Sequence, residues 1–386
     1  MNDQSPTIAL VAGEASGDQL GAALVSRLRE TWPQARCVGV AGPKMKAAGV
    51  EAWWDAEELA VFGLFEVVSH FPRLLKIRRE LVRRLSELKP DVVIGIDAPD
   101  FNLGLEIQLK KQGIRTVHYV SPTVWAWRKR RVKKIARAAD LVLSLFPFEP
   151  RFYQGHGVAA EYVGHPLADQ IEPDDDPRAA RIKLGLDPSR TTIAMLPGSR
   201  ASEVSRLAEP MLAAARILQS RRSGLQFVSA MTNERVDALF QAEMERLGLP
   251  DVVRVQKDPR TVIAAADAVM CASGTATLEV MLVNRPLVMT YRIAPSSFNT
   301  LKYLRLIKPQ LFALPNILAG KALVPEFVQS EATAENLAHG IEKWLDDGAA
   351  RSALRQRFRE LHGELRCDAS GRAADAVIRL LGGQQA

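Results

Sequence analysis

Apolar residues in the first half of the chain gather into short β-branched or aliphatic runs: Thr7 to Ala12, Arg36 to Val40, Val92 to Asp97, Arg115 to Val120, Asp140 to Leu145 and Glu161 to Val163. Their lengths suit buried strands. Helical patterns at Gly17 to Arg29, Arg73 to Leu88 and Leu103 to Gln112 separate them, and this alternation predicts βαβ units around a parallel sheet. After Gly164-His165-Pro166 the acidic, proline-punctuated stretch Glu172 to Pro177 reads as a linker, and the alternation then restarts. Strands are predicted at Thr191 to Leu196, Gln226 to Met231, Val252 to Val255, Asp267 to Cys271 and Pro286 to Tyr291. The helix after Arg200 carries Val204, Leu207, Met211, Ala214 and Leu218 as a buried stripe, with Pro210 expected to kink it. From about residue 348 the pattern is helical, at Ala350 to Glu364 and Gly371 to Leu381.

The fold class expected from this pattern is α/β, two Rossmann-like domains facing a cleft. The first spans 1–168 and the second 169–348; helices fill 349–386.

Composition narrows the class. A 386-residue chain with 47% hydrophobic and 25% charged residues is globular and long enough for two cores. The polar start, Met1 to Pro6, does not look like a secretory signal, and no run approaches the ~20 apolar residues of a membrane span. Cys37, Cys271 and Cys367 stand far apart, which argues against a disulfide framework or zinc site and suits a reducing cytoplasm. A net charge of +7 calls for an acidic partner, whether nucleic acid, anionic membrane or phosphorylated substrate.

Two loops carry the chemistry of anion binding. Leu196-Pro197-Gly198-Ser199-Arg200-Ala201-Ser202-Glu203 follows an apolar strand and opens a helix, whose free N–H groups and dipole favour negative charge. Gly198 permits close backbone approach, and Arg200 offers a planar fork of donors suited to phosphate. Ala272-Ser273-Gly274-Thr275-Ala276-Thr277-Leu278-Glu279 repeats the arrangement, with Glu279 one helical turn on and able to accept from a ribose diol. Each has an ordinary alternative as a strand-to-helix turn. Neither half holds G-x-G-x-x-G or G-x-x-x-x-G-K-[ST], so dinucleotide oxidoreductase and P-loop NTPase lose their main support.

Further motifs resemble those of the lipid-A-disaccharide synthase family, inverting glycosyltransferases of the GT-B architecture. They are Val11 to Asp18 (VAGEASGD), Gly39 to Pro43 (GVAGP), Gly95 to Asn102 (GIDAPDFN), His118 to Pro122 (HYVSP), Val124 to Arg128 (VWAWR), the two loops above and Leu314-Pro315-Asn316. The resemblance spans nearly the whole chain. It implies transfer of the sugar of UDP-2,3-diacylglucosamine to the 6-hydroxyl of 2,3-diacylglucosamine 1-phosphate, giving the β-1,6-linked disaccharide and UDP, with no cofactor.

Roles then follow by analogy with that architecture. The second domain would hold UDP through Ser199, Arg200, Gly274 and Thr275, which stabilise charge on the leaving group, while Glu279 grips the ribose. Asn316 would bond the diphosphate or sugar, or else serve as a turn residue. The acceptor hydroxyl needs a base; Asp97, at the end of an apolar strand, is the choice, with Asp100 its competitor and a helix cap the ordinary alternative. Glu14, Ser16 and Asp18 are assigned to substrate binding; His118 reads more readily as structural. Asp174 and Asp176 match a D-x-D metal spacing, but sit between prolines in the linker, and no metal is expected.

Two segments bear on partners. The apolar run Val61 to Phe71, followed by Arg73, Lys76, Arg78, Arg79, Arg83 and Arg84, suits an anionic inner-membrane surface on its cytoplasmic face, though Leu74, Ile77, Leu81, Leu85 and Leu88 also form an inward stripe. Trp125 and Trp127 before Arg128 to Arg131 have a nucleic-acid reading, but acceptor phosphate or lipid head groups explain them as well, and no nucleic-acid partner is expected. The terminal helices either cross back to the first domain or are exchanged within a homodimer. The alternative function is that of a UDP-N-acetylglucosamine 2-epimerase-like enzyme.

Overall fold

The computed structural model describes residues 5–59, 64–122, 131–248, 252–293 and 311–382, with the side chains of 64–71 excepted. The chain divides into two units, Met1–Asp169 with Leu365–Ala386, and Gln170–Glu364.

The first unit is built on a seven-stranded sheet. Its strands are β1 (Thr7–Ala12), β2 (Arg36–Ala41), β3 (Glu51–Asp55), β4 (Val92–Ile96), β5 (Thr116–Tyr119), β6 (Leu141–Ser144) and β7 (Ala159–Tyr162), in spatial order β3-β2-β1-β4-β5-β6-β7 with every pairing parallel. The connecting helices are α1 (Ala15–Thr31), α2 (Pro43–Ala47), α3 (Leu64–Leu88), α4 (Pro99–Lys110), α5 (Arg131–Ala138) and α6 (Pro166–Gln170). Alternation along β1 explains the layers: Ile8 and Leu10 join Leu24, Val25 and Leu28 of α1 on one face, and Ala9 and Val11 join Ile77, Leu81 and Leu85 of α3 on the other. Both faces are thereby covered, as a parallel sheet requires.

The second unit has α7 (Pro177–Lys183), β8 (Thr191–Leu196), α8 (Ala201–Arg221), β9 (Leu225–Met231), α9 (Glu234–Leu247), β10 (Val252–Gln256), α10 (Pro259–Ala265), β11 (Ala268–Ala272), α11 (Thr275–Leu282), β12 (Leu287–Tyr291), α12 (Leu314–Ala319), β13 (Glu326–Val328), α13 (Ala334–Asp346) and α14 (Gly348–Leu365). Its sheet is again parallel, in the order β10-β9-β8-β11-β12-β13. The stripe predicted on α8 is buried throughout, and the helix runs on through Pro210.

The last helix, α15 (Ala369–Gly382), returns to the first unit, where Ala373, Ala374, Ala376 and Val377 pack into the α1 face of the core. Asp169 fixes the return by accepting from the Asp368 and Ala369 N–H groups at 3.0 and 2.7 Å. Short elements escape the hydrophobic pattern: β3 is only part-buried and β13 has three residues, so neither presents an apolar run.

Candidate functional site

In each sheet the strand order reverses once, at β1/β4 and at β8/β11, and the loops leaving the carboxyl ends of those strands flank the place where ligands bind in open α/β sheets. The loops singled out by sequence are these four: Gly13 to Ser16 after β1, Asp97-Ala98 after β4, Gly198 to Arg200 after β8 and Ser273-Gly274 after β11.

In the first unit, the β1 and β4 loops adjoin so closely that a Cβ on Gly13 would lie 2.9 Å from the Ala98 Cβ. Asp97 and Ala98 both have left-handed backbones, φ 51° and 42°, unusual for consecutive non-glycine residues. Hydrogen bonds hold this turn. Asp97 N–H donates to the Tyr119 carbonyl at 2.8 Å, and the buried Asn102 amide donates to the Asp97 carbonyl at 2.9 Å and the Val11 carbonyl at 3.2 Å. Strain of this kind persists only where surrounding structure imposes it, and it concentrates at functional sites. Burial raises the Asp97 pKa above the ordinary carboxylate range, opposed by the charge of His118 and a hydrogen bond from Ala98. Asn102 belongs to the motif read from sequence but was given no role; as an asparagine in the first turn after a strand, it carried the signal of a turn-binding amide.

Other first-unit residues fall out differently. Asp100 is 86% exposed at its side chain and paired with Arg131, 2.5 Å away. Glu14 is the N-cap residue of α1 and is exposed, as is Ser16. Asp18 has a buried carboxylate that accepts from the Gly42, Lys44 and Met45 N–H groups at 2.9 to 3.0 Å, capping the start of α2.

In the second unit, the two anion loops differ. Gly198, at φ +121°, sits against Glu203, and the Glu203 carboxylate accepts from Ser199 N–H at 3.0 Å and Arg200 N–H at 3.3 Å. A carboxylate of the chain's own therefore occupies the N–H groups expected to cradle phosphate. The Arg200 guanidinium, 3.4 Å from the same carboxylate, keeps 76% of its side chain exposed. Sequence reasoning missed Glu203 because the residue three positions before it is Arg rather than Ser or Thr, which hides the capping-box pattern. Gly274 at φ +120° and Thr275 are exposed at the start of α11, where the first N–H groups of a helix have no intrahelical partner. Thr277 braces this loop, donating to the Gly274 carbonyl at 2.8 Å and accepting from Leu314 N–H at 3.1 Å. Glu279 is partly buried, which raises its carboxyl pKa against the opposing charge of Arg260.

Asn316 is fully buried, donating to the Val324 carbonyl and Glu326 and accepting from the Leu323 and Val324 N–H groups. Asp174 meets Asn284, Arg355 and Arg359, and Asp176 caps α7 through Arg178 N–H. Among the described residues no group of three or more His, Cys, Asp or Glu side chains is arranged to hold a metal ion.

The chain matches the family model described as lipid-A-disaccharide synthetase over residues 8–377. It is 49% identical over 381 residues to the lipid-A-disaccharide synthase of Xanthomonas campestris pv. campestris (strain 8004), covering 98% of this chain and 87% of that protein. The chain belongs to the lipid-A-disaccharide synthase family. A second such synthase, from Xylella fastidiosa (strain M12), is 48% identical over 380 residues, with 98% and 99% covered. Membership makes the chain a glycosyltransferase of that activity, in agreement with the resemblance read from its motifs. Solved structures show likeness of fold alone. The calicheamicin glycosyltransferase CalG4 superposes with a TM-score of 0.61 at 16% identity, covering 99% of this chain and 100% of that one. A UDP-GlcNAc 2-epimerase from Neisseria meningitidis bound to UDP-GlcNAc gives 0.59 at 11%, covering 97% and 99%. The epimerase alternative thus rests on shared architecture, not on sequence.

The surface expected to meet a membrane is described only in part. Residues 60–63, the side chains of 64–71, and the Trp125, Trp127 and Arg128 to Arg130 run lie outside the described residues. Of the inward stripe on α3, Ile77, Leu81 and Leu85 are buried. On its basic side Arg73 pairs with Glu58, Arg83 with Glu80 and Glu87, and Arg84 with Glu80 beneath Trp53 and Trp54. Among the described residues no helix is long and apolar enough to cross a membrane.

Proposed function

We propose that this chain transfers the diacylglucosaminyl group of UDP-2,3-diacylglucosamine to the 6-hydroxyl of 2,3-diacylglucosamine 1-phosphate, with Asp97 as the base. The observation that carries this reading is the strained Asp97-Ala98 turn at the β1/β4 switch point, held by Asn102 and raised in basicity by burial. As the acceptor oxygen bonds to C1 of the donor sugar, its proton passes to Asp97. The C1–O bond to UDP breaks with its electron pair leaving on the diphosphate, on the face opposite the attack, so the configuration inverts.

Charge on departing UDP is met from the second unit. Gly274 and Thr275 at the start of α11 supply N–H groups and a hydroxyl, and the exposed Arg200 supplies a mobile guanidinium. Ser199 contributes its hydroxyl, since its N–H belongs to Glu203. Glu279 takes the ribose, and exposed Glu14 and Ser16 line the acceptor side beside Asp97. The enzyme works at the cytoplasmic face of the inner membrane, docking through 61–84 because both substrates carry acyl chains. Exchange of α15 within a homodimer would use the same contacts as its return within one chain.

The test incubates purified protein, with EDTA and no added metal, with both acylated substrates, and measures UDP and tetraacyl disaccharide together, alongside reactions using unacylated UDP-N-acetylglucosamine. Equimolar UDP and disaccharide from the acylated pair alone support the reading. Turnover of the unacylated sugar nucleotide without disaccharide would refute it. Docking is tested by co-sedimentation with vesicles containing phosphatidylglycerol; binding that weakens as salt rises is expected, and equal binding to neutral vesicles would contradict an electrostatic contact.

A further inference from the structure

The loop that opens α11 is shaped by side chains that have so far been given no part in the reaction. Gly274 sits at φ +120° with no atom within 4 Å of the place a Cβ would take, so crowding does not set its conformation. Hydrogen bonds do. Its carbonyl accepts twice from Thr277, from the N–H at 3.1 Å and from the hydroxyl at 2.8 Å. The same hydroxyl accepts from Leu314 N–H at 3.1 Å, and the neighbouring Ser273 donates its own hydroxyl to the Phe312 carbonyl at 3.4 Å. Glu326 on β13 secures that segment in turn. Its carboxylate accepts from Phe312 N–H at 3.0 Å, Ala313 N–H at 2.8 Å and the Asn316 amide at 2.7 Å.

The direction of these bonds matters. In a planar trans peptide the carbonyl of one residue and the N–H of the next point opposite ways, so a Gly274 carbonyl held into α11 directs Thr275 N–H out of the helix. An ordinary cap does the reverse: a side-chain oxygen takes up the first N–H groups, as Asp176, Asn233, Asp258 and Thr333 do for α7, α9, α10 and α13. On α11 the N-cap residue is a glycine and takes none. Thr277 braces the turn through a carbonyl and leaves its donors open. The residue is wholly buried in a helix whose Leu278, Val280, Met281 and Leu282 are equally inaccessible, where a valine would fill the same space. What the hydroxyl adds is the relay: with Leu314 N–H on its lone pair, its proton is free for the Gly274 carbonyl.

We propose that Thr277 is a positioning residue for the donor diphosphate: its hydroxyl pins the Gly274 carbonyl and so aims Thr275 N–H at the phosphate, while Glu326 holds Leu314 where it orients that hydroxyl. The inference rests on the assignment of Gly274 and Thr275 to UDP. Neither Thr277 nor Glu326 touches substrate in this scheme; both act through the 274–275 peptide.

The experiment measures UDP affinity by calorimetry, and KM for each acylated substrate, in the full-length protein and in T277V, T277S and E326Q. T277V keeps the branching and volume while removing the hydroxyl, so it isolates the relay from packing. In T277V the UDP Kd and the donor KM are expected to rise about tenfold, with the acceptor KM within about twofold of wild type. T277S, which keeps the hydroxyl, is expected to restore both to within about threefold, and E326Q to show the same split as T277V in smaller measure. Wild-type UDP affinity and donor KM in T277V overturn the proposal, as does an equal rise in both KM values or a T277S as impaired as T277V; each would leave the hydroxyl a purely structural group. Should T277V fail to fold, E326Q decides in its place, and an unchanged donor KM there overturns the proposal. Failure of the underlying assignment is recognised separately: G274A would then leave UDP affinity unchanged, whereas weakened binding in G274A beside an unaltered T277V removes this inference alone.

Discussion

At the scale of single residues, the two left-handed positions after β4 cost stability. A non-glycine residue in this conformation is disfavoured by about 1 kcal/mol, which glycine would recover. Ala98→Gly is therefore expected to stabilise the protein by ~0.5–1 kcal/mol in chemical denaturation and to lower kcat, because Asp97 becomes less firmly aimed. His165 gives a second prediction. Burial lowers its pKa from 6.5 to about 4, and its Nδ1 accepts from Leu167 N–H at 3.2 Å, as a neutral ring does. Between those values the unfolded chain binds the proton and the folded one does not. Stability from this residue is whole above pH 6.5 and is lost as pH falls through 4, by roughly 3 kcal/mol in all. Denaturation curves between pH 7 and 4 should show that slope in the wild type and lack it in His165→Phe. Asp97 stands out in the sequence because an acid ending an apolar run is visible; the partners of Asp18 and Asn316, the N–H groups of Gly42, Lys44 and Met45 and of Leu323 and Val324, were not legible because tertiary folding sets them.

At the scale of elements, strands and long helices were legible because parallel strands buried on both faces read as continuous apolar runs. The loops were legible only in position. Both anion loops look alike in sequence, yet Glu203 fills one and leaves the N-terminus of α11 as the open one. Gly274→Ala tests the difference. No atom lies within 4 Å of the added methyl, so any effect comes through the backbone at φ +120°, which disfavours a side chain. UDP affinity by calorimetry should fall by about tenfold, whereas Glu203→Gln, at the loop already filled, should change it less than threefold and cost ~0.5–1 kcal/mol of stability.

At the scale of the whole molecule, the chain leaves its first sheet after α6 and re-enters it with α15, so residues from both ends build one core. Hydrophobic pattern predicted the final helix but not its destination, since an amphipathic face states that it is covered and not by what. Ending the chain after Asp368 removes Ala373, Ala374, Ala376 and Val377 from that core. The first unit is expected to lose several kcal/mol and unfold at lower denaturant, while a second transition from 170–364 stays in place; one unchanged transition would contradict this division.

The measurement that bears most directly on the account is disaccharide formation by D97N and D100N, each shown to be folded, with both acylated substrates saturating. Asp97 is strained, partly buried and fixed by Asn102, whereas Asp100 is exposed and ion-paired. Turnover should fall ~10²- to 10⁴-fold in D97N and stay within about threefold of wild type in D100N. Near-normal turnover in D97N, or the large loss in D100N instead, would contradict the assignment of Asp97 as the base.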